Sequence, residues 1–489
     1  MNADPRWVRE ADAADAPAAD DDVALYAPSK RIFPQSVRGR YRTIKWTLLA
    51  ITLCIYYALP FVRWDRGPHA PNQAVLIDFT RERFYFFFIE LWPQEIYYIT
   101  GLLVLAAMTL FLMNAFAGRI WCGYLCPQTV WTDLFYAVER MIEGDRRERL
   151  RKQKEGLTLQ IASEKMLKHS IWLLIAWWTG GAWVLYFTDA PTLVIQLATF
   201  QAPMTAYLWI AILTFTTYSL AGFMREQVCT YMCPWPRIQA ALTDEHALNV
   251  TYRYDRGEPR GSLKTNHLRQ AQGLLAGDCV DCNQCVAVCP TGVDIRKGLQ
   301  LDCIQCGLCI DACDAVMEKI GKPARLIAYD TDINVKRRQS GQPEIFKPLR
   351  PRTLLYMGVI AAVGLVMLTA LVMRHQIGIS VLHERNPMFV MLKDGSVRNA
   401  YTVRLSNKVL EPRTFLLSVS GLESPTLVLA GQEQKSEAEL DIGPDQTAEV
   451  RLFVSARVSP GNSQFPVRFT VRDRTSGETA SADNYFKGP

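Results

Sequence analysis

Long apolar runs alternate with strongly charged stretches along this chain, and the runs have the length a bilayer dictates. A hydrocarbon core about 30 Å thick takes about 20 apolar residues of α-helix. Five segments qualify: residues 44–62, 96–117, 170–187, 203–223 and 353–373. The short aromatic run 84–92 reads as an interfacial piece, because Trp, Tyr and Phe favour the headgroup level. Residues 124–141 have the spacing of an amphipathic helix on the inner surface. After residue 376 the period changes to two. Alternating runs at 400–405, 414–419, 448–454 and 467–472 are separated by turn residues such as Asp394-Gly395, Pro460-Gly461-Asn462 and Ser476-Gly477. That is the pattern of a small antiparallel β-sandwich.

Basic residues give the spans a direction. Residues 1–43 hold seven Lys/Arg, 118–169 hold ten and 224–352 hold eighteen, against four in 63–95 and none in 188–202. The positive-inside rule then puts the N-terminus in the cytoplasm and the C-terminus outside. The expected plan is a cytoplasmic basic tail (1–43), four transmembrane helices (44–223) with a cytoplasmic loop (118–169), a cytoplasmic insert (224–352), a fifth span (353–373) and a periplasmic β-sandwich (376–489). The first 30 residues, Ala/Asp-rich from Ala11 to Asp22, have no apolar core of a signal peptide and read as a disordered cytosolic tail. Across 489 residues, 49% are hydrophobic and 21% charged, sharply segregated, which excludes a single soluble globule and a disordered chain. The net charge of +6 sits beside apolar runs, so it argues for membrane lipid as a partner and not for nucleic acid.

The 13 cysteines narrow the chemistry. None lies in residues 1–53 or after Cys313, Cys54 stands alone, and the rest form tight clusters. A secreted disulfide scaffold spreads its cysteines, whereas short fixed gaps point to metal. In the insert, Cys279, Cys282, Cys285 and Cys289-Pro290 form one bacterial ferredoxin run, and Cys303, Cys306, Cys309 and Cys313 a second. Three cysteines at two-residue gaps wrap three corners of a cubane, and the fourth is carried to the other cluster. Cys279, Cys282, Cys285 and Cys313 are therefore expected to hold one [4Fe-4S] cluster, and Cys303, Cys306, Cys309 and Cys289 the other. Zinc ribbons do not use the double two-residue run.

Two further motifs, Cys122-x3-Cys126-Pro127 and Cys229-x3-Cys233-Pro234, each begin about five residues beyond a span that travels inward. They are expected at one depth on the cytoplasmic rim. On a helix, residues four apart share a face, so each motif offers two thiols to one point. Soft thiolates select Cu(I), zinc or iron–sulfur iron, and a reduced site beside a ferredoxin relay favours copper. A disulfide, or packing cysteines, are the plainer readings. Cys54, mid-span in the first helix, reads as packing, with an extra thiol ligand or relay group as the alternative. His169 and His246 near the same face, and Met224 and Met232 beside the second motif, are secondary ligand candidates.

The run Trp121-Cys122-Gly123-Tyr124-Leu125-Cys126-Pro127-Gln128-Thr129-Val130-Trp131 resembles the signature of the CcoG/FixG (RdxA) family. So do Arg256-Gly257-Glu258-Pro259-Arg260-Gly261 and the pairing of Cys289-Pro290-Thr291-Gly292 with Cys309-Ile310-Asp311-Ala312-Cys313-Asp314. The resemblance covers about residues 30–489. It implies an accessory factor for the cbb(3)-type cytochrome c oxidase that reduces Cu(II) to Cu(I) during copper delivery, partnered by oxidase subunits or copper chaperones. It carries over Cys122, Cys126, Cys229 and Cys233 as copper-binding, reducing thiols, the eight ferredoxin cysteines as cluster ligands, and an immunoglobulin-like domain at the C-terminal end. The chain is more distantly similar to NapH-type membrane ferredoxins.

The fold class expected is thus a five-span α-helical inner-membrane protein with a two-[4Fe-4S] ferredoxin-like insert and a C-terminal immunoglobulin-like β-sandwich. Two rival functions stay open. One is a quinol-linked membrane ferredoxin whose acceptor is a protein. The other is a non-enzymatic copper carrier or assembly scaffold. The electron donor is unnamed; no G-x-G-x-x-G or P-loop sequence points to NADH or ATP. The sandwich, with no cysteine and one histidine (His383), reads as a docking domain.

Overall fold

A computed structural model describes residues 31–68, 70–156, 158–429, 436–458 and 463–489. The expected acidic tail and the Pro460-Gly461-Asn462 turn lie outside the described residues. Helix α1 (Arg40–Ala58) starts where Asp311 of the insert accepts the amides of Tyr41 (3.1 Å) and Arg42 (2.8 Å). Those are orphan donors of a helix N-terminus, so the carboxylate both caps α1 and ties the insert to it. After α1 the chain forms a three-stranded antiparallel sheet, β1 (Val75–Asp78), β2 (Arg83–Phe86) and β3 (Ile89–Leu91). The aromatic run 84–92 is therefore a strand, a hairpin turn and a strand, with Tyr85 and Trp92 buried.

Helix α2 (Tyr97–Ala117) ends at Gly118, followed by the single-turn α3 (Ile120–Tyr124) and α4 (Pro127–Glu143). Helix α5 (Leu159–Val184) packs antiparallel on α6 (Met204–Thr217). Gly180 lets them close, since a Cβ there would stand 3.0 Å from Ile210 O. Helix α6 continues as π-turns at Tyr218–Met224 and Val228–Met232, then α7 (Trp235–Leu242).

Four helices among the described residues are long and apolar enough to cross a membrane: Arg40–Phe61, Pro93–Ala117, Met204–Met224 and Pro351–Val372. The third expected span is the second half of α5. It falls short by composition because the first half carries Glu164, Lys165 and Lys168 and the second is rich in Trp and Gly. Its ends still reach both rims. Lys168 pairs with Glu143 (2.6 Å) at the insert side, and Tyr186 O, just past its other end, accepts from Ile77 N (2.8 Å) in the sheet. Among the described residues, five helices thus run between the two ends of the bundle.

The insert carries a two-stranded sheet of β4 (Asn249–Tyr252) and β5 (Ile327–Asp330) around two cysteine loops and α8 (Leu308–Lys319). The last helix, α9 (Pro351–Val372), packs on α2 and leads to the sandwich. One sheet has the order β10-β12-β8-β6 with β7 also on β8, and the other β11-β9-β13-β14. The strands are β6 (Ile377–His383), β7 (Val390–Met391), β8 (Val397–Asn407), β9 (Arg413–Ser420), β10 (Thr426–Leu429), β11 (Ala438–Ile442), β12 (Gln446–Ala456), β13 (Gln464–Asp473) and β14 (Thr479–Lys487). Alternate residues of both sheets, Val403, Leu405, Leu417, Leu452, Phe469 and Phe486 among them, fill one core. Glu95 at the start of the second span holds Arg374 (2.8 Å) and Lys408 (2.7 Å), and Arg83 of β2 pairs with Asp445. These pairs fix the sandwich to the rim opposite the insert.

Candidate functional site: a thiol quartet against two cysteine-lined cavities

The two Cys-x3-Cys-Pro motifs fold as copies 107 residues apart. Each begins at a left-handed residue that ends a membrane segment, Gly118 (φ 54) and Arg225 (φ 44). Four residues on, Cys122 lies in α3 and Cys229 in the second π-turn. Four more on, Cys126 and Cys233 are extended. Each donates its amide to the carbonyl five residues back, Cys126 to Trp121 (3.0 Å) and Cys233 to Val228 (2.8 Å). The expectation of both thiols on one continuous helical face is corrected here. A residue before proline is held out of the α region, so Pro127 and Pro234 end each turn at the second cysteine.

Glutamines bind each motif to the other. Gln128, just after Pro127, donates to Leu220 O (2.8 Å) and Arg225 O (3.1 Å), while Cys122 Sγ donates to Gln239 Oε1 on α7 (3.4 Å). Arg225, a non-glycine at positive φ, is held by Gly222 O (2.7 Å) and by buried Glu139, which also pairs with Arg149 (2.6 Å). As a result the thiols of Cys122, Cys126, Cys229 and Cys233 are mutual electrostatic neighbours. Burial, reinforced by the neighbouring thiols, pushes Cys122 and Cys229 up to about 12. A metal ion would enter with loss of those protons. Among the described residues no three His, Cys, Asp or Glu side chains are grouped closely enough to hold a metal ion as they stand. Cys54 is exposed on α1. His169 is occupied by Tyr218 Oη (3.0 Å) and stacks on Phe223, and the His246 amide turns on Asp244 (3.0 Å). His383 sits inside the sandwich against Asn399 (2.6 Å).

The two ferredoxin runs are also copies, 24 residues apart. Asp281 (φ 52) and Asn283 (φ 56) recur as Gln305 (φ 54) and Gly307 (φ 74), left-handed residues that let each loop wrap inward. Cys279, Cys282, Cys285 and Cys313 line one cavity with Tyr252, Met317, Leu326 and Ile327. Cys289, Cys303, Cys306 and Cys309 line the other with Val250, Ile304 and Leu308, and Cys285 stands between the two. Burial raises the thiols, Cys285 to about 11 and Cys303 and Cys313 to about 12. Four thiols in a wrapped loop with apolar walls suit a [4Fe-4S] cluster in each cavity. The exchange of the fourth cysteine, expected from spacing, is what the geometry brings together.

The quartet touches the second cavity. Cys122 packs against the buried cluster formed by Val288, Ile304, Cys306, Leu308 and Ala312. Gly123 makes this possible, because a Cβ there would stand 2.7 Å from Ile304 O and 3.0 Å from Cys306 Cα. Tyr124 Oη donates to Cys306 O (3.0 Å). A cavity between Cys229 and Pro290, Thr291 and Ile304 is lined by Lys45, Asp133, Tyr136, Arg225 and Glu226. Gly123 and Gln128 stand in the run 121–131 without any sign of these contacts, and nothing in the sequence points to Gln239 or these charges. The 107-residue repeat would have pointed to the positions around each motif.

Residues 224–332 match the family described as a 4Fe-4S dicluster domain, residues 99–153 that described as a 4Fe-4S binding domain, and residues 367–489 the IG-like fold at the C-terminal of FixG. The nitrogen fixation protein FixG of Rhizobium meliloti is 48% identical over 88% of this chain and 87% of its own length. The chain belongs to the FixG/RdxA family. Two proteins of Cereibacter sphaeroides agree: RdxB is 46% identical over 95% of this chain and 98% of itself, and RdxA 48% over 88% and 90%. As a FixG/RdxA protein it is an iron–sulfur oxidoreductase of the membrane with two [4Fe-4S] clusters and an immunoglobulin-like C-terminal domain. The dicluster match contains all eight ferredoxin cysteines and also Cys229 and Cys233. The 99–153 match contains Cys122 and Cys126.

Proposed function

We propose that this protein reduces Cu(II) to Cu(I) at the thiol quartet, for copper delivery to a cbb(3)-type oxidase. The observation that carries the reading is the packing of Cys122 against the buried cluster that holds Ile304, Cys306 and Leu308, with Gly123 hard against the Ile304 and Cys306 backbone, which supports a quartet beside the second cysteine cavity and not the first. Cys279, Cys282, Cys285 and Cys313 hold one cluster, and Cys289, Cys303, Cys306 and Cys309 the other. When bound, the clusters supply a one-electron relay. The exposure of Cys282 supports electron entry at the first cluster from a donor the chain does not name, with the quartet at the far end.

The residues of the quartet do the rest. Exposed Cys233 and half-buried Cys122, Cys126 and Cys229 take up Cu²⁺, and each ligating thiol loses its proton to water. One electron converts Cu²⁺ to Cu⁺. Thiolate ligands favour that product because soft sulfur binds Cu(I) better than Cu(II). When Cys122 ionises, the Gln239 side-chain amide, which now accepts from its Sγ–H, turns over to donate an N–H instead. The lysine and arginine distribution supports a bacterial inner-membrane location with the N-terminus and insert cytoplasmic and the sandwich periplasmic. Cu(I) then passes to a copper chaperone or an oxidase subunit.

The test is serine at Cys122, Cys126, Cys229 and Cys233 together. Iron content stays at wild-type level while anaerobic Cu(II) reduction and oxidase maturation are lost. Retention of both in the quadruple variant sinks the reading.

A further inference from the structure

Arg119 lies between the two thiol systems and makes no ion pair among the described residues. It follows Gly118 at the end of α2 and is 7% exposed. Its backbone amide donates to Gln305 Oε1 (2.8 Å), inside the second ferredoxin run. Its guanidinium donates to Leu301 O, to Cys303 O (3.5 Å) and to Pro236 O (2.8 Å), the last three residues beyond Cys233. Every partner is a neutral carbonyl, and among the described residues no carboxylate comes within ion-pair distance of it. Buried guanidinium groups are normally paired, because an uncompensated charge in low dielectric is costly. The groups in this neighbourhood that can carry negative charge are Cys122, Cys303 and, more weakly, the Asp302 carboxylate, none of them within ion-pair distance among the described residues. The matching position of the other motif copy is Glu226, so the repeat does not require an arginine here.

We propose that Arg119 is a positioning residue whose fixed positive charge is a counter-ion of the second cluster and raises that cluster's reduction potential. The proposal rests on the ligand assignment above and not on copper. An added electron increases the negative charge held by Cys289, Cys303, Cys306 and Cys309, and a buried cation on the Cys303 loop favours that state. Its three carbonyl contacts alone would hold the loop but would not bias the potential.

The experiment separates charge from hydrogen bonding. The full chain in detergent, without copper, is titrated anaerobically with EPR detection as wild type, Arg119→Gln and Arg119→Lys, with iron content measured on each. Arg119→Gln keeps an amide donor and removes the charge. It is expected to shift one of the two midpoint potentials negative by at least a tenfold change in the reduction equilibrium, 59 mV for one electron. The other midpoint stays in place, and Arg119→Lys stays near wild type. The proposal is overturned if Arg119→Gln leaves both potentials unchanged or moves both equally. Where Arg119→Gln binds less iron, Arg119→Lys decides: a tenfold negative shift with the charge retained overturns the proposal. Because no copper is present, a failed cupric reductase reading leaves this result intact.

Discussion

Gly123 sits where the membrane motif meets the second cluster run, and adding one methyl there perturbs little else. In the wild-type backbone an alanine Cβ would lie 2.7 Å from Ile304 O, 3.0 Å from Cys306 Cα and 3.1 Å from Cys306 N. A normal C···O contact is about 3.3–3.6 Å, so the Ile304–Cys306 backbone must retreat by roughly 0.6–0.9 Å. All three neighbours are backbone, with no flexible tip to swing aside. Overpacking of this kind costs about 1–3 kcal/mol. Alanine in a helix returns at most about 1 kcal/mol over glycine, and α3 is a single turn. Gly123→Ala should therefore weaken docking of the insert by about 0–2 kcal/mol while pushing Cys306 away from Cys122. Gly364→Ala in α9 is the control, since nothing lies within 4 Å of its Cβ. The assay is thermal unfolding in detergent together with hydrogen exchange of residues 303–309. Gly123→Ala should melt earlier and exchange faster there, with slower copper-driven reoxidation. If it melts, exchanges and reoxidises like Gly364→Ala, the close-packed junction is wrong.

Two further outcomes follow from the same geometry. Cys313→Ser should abolish the EPR signal of the cluster held by Cys279, Cys282 and Cys285, and Cys289→Ser that of the other. Loss of the signal from each serine's own run instead would refute the exchange of fourth ligands. At the opposite rim, Arg83 serves two buried carboxylates, Glu90 (2.5 Å) and Asp445, and burial with Asp445 beside it pushes Glu90 up to about 7 from 4.5. A carboxyl raised on folding stabilises most below its unfolded value, so the sandwich junction is tightest below about pH 4.5 and loosens as pH rises through 7. Limited proteolysis from pH 5 to 8 should release the sandwich faster at high pH in wild type. A Glu90→Gln variant should show a flat profile, and an unchanged slope would contradict the assignment.

What the sequence made legible was periodic or closely spaced. The two cysteine-lined cavities follow from two-residue gaps, and the left-handed residues at Asp281, Asn283, Gln305 and Gly307 are the backbone form of that spacing. The spans follow from apolar length, and the sandwich from alternation in β8, β9, β12 and β13. The helical reading of the Cys-x3-Cys-Pro motifs gave too little weight to proline's effect on the residue before it, which leaves Cys126 and Cys233 extended. The strands at 83–91 were hidden because Phe84, Tyr85 and Phe86 read as headgroup aromatics before they read as a hairpin. Contacts such as Glu139 to Arg225, Gln239 to Cys122 and Arg119 to Pro236 join segments 86 to 117 residues apart. They depend on how the two motif copies face each other, and no local pattern encodes that.

The central claim is that electrons leave the clusters for copper at the quartet. The direct measurement uses purified protein in detergent without oxygen, with clusters pre-reduced and excess reductant removed. Cluster absorbance and a Cu(I)-specific chelator are followed together as Cu(II) is added. The account predicts that one Cu(I) appears for each electron the clusters lose, and that serine at Cys122, Cys126, Cys229 and Cys233 abolishes both changes. Clusters that stay reduced while copper is merely bound would contradict it and leave the protein a carrier whose electrons go elsewhere.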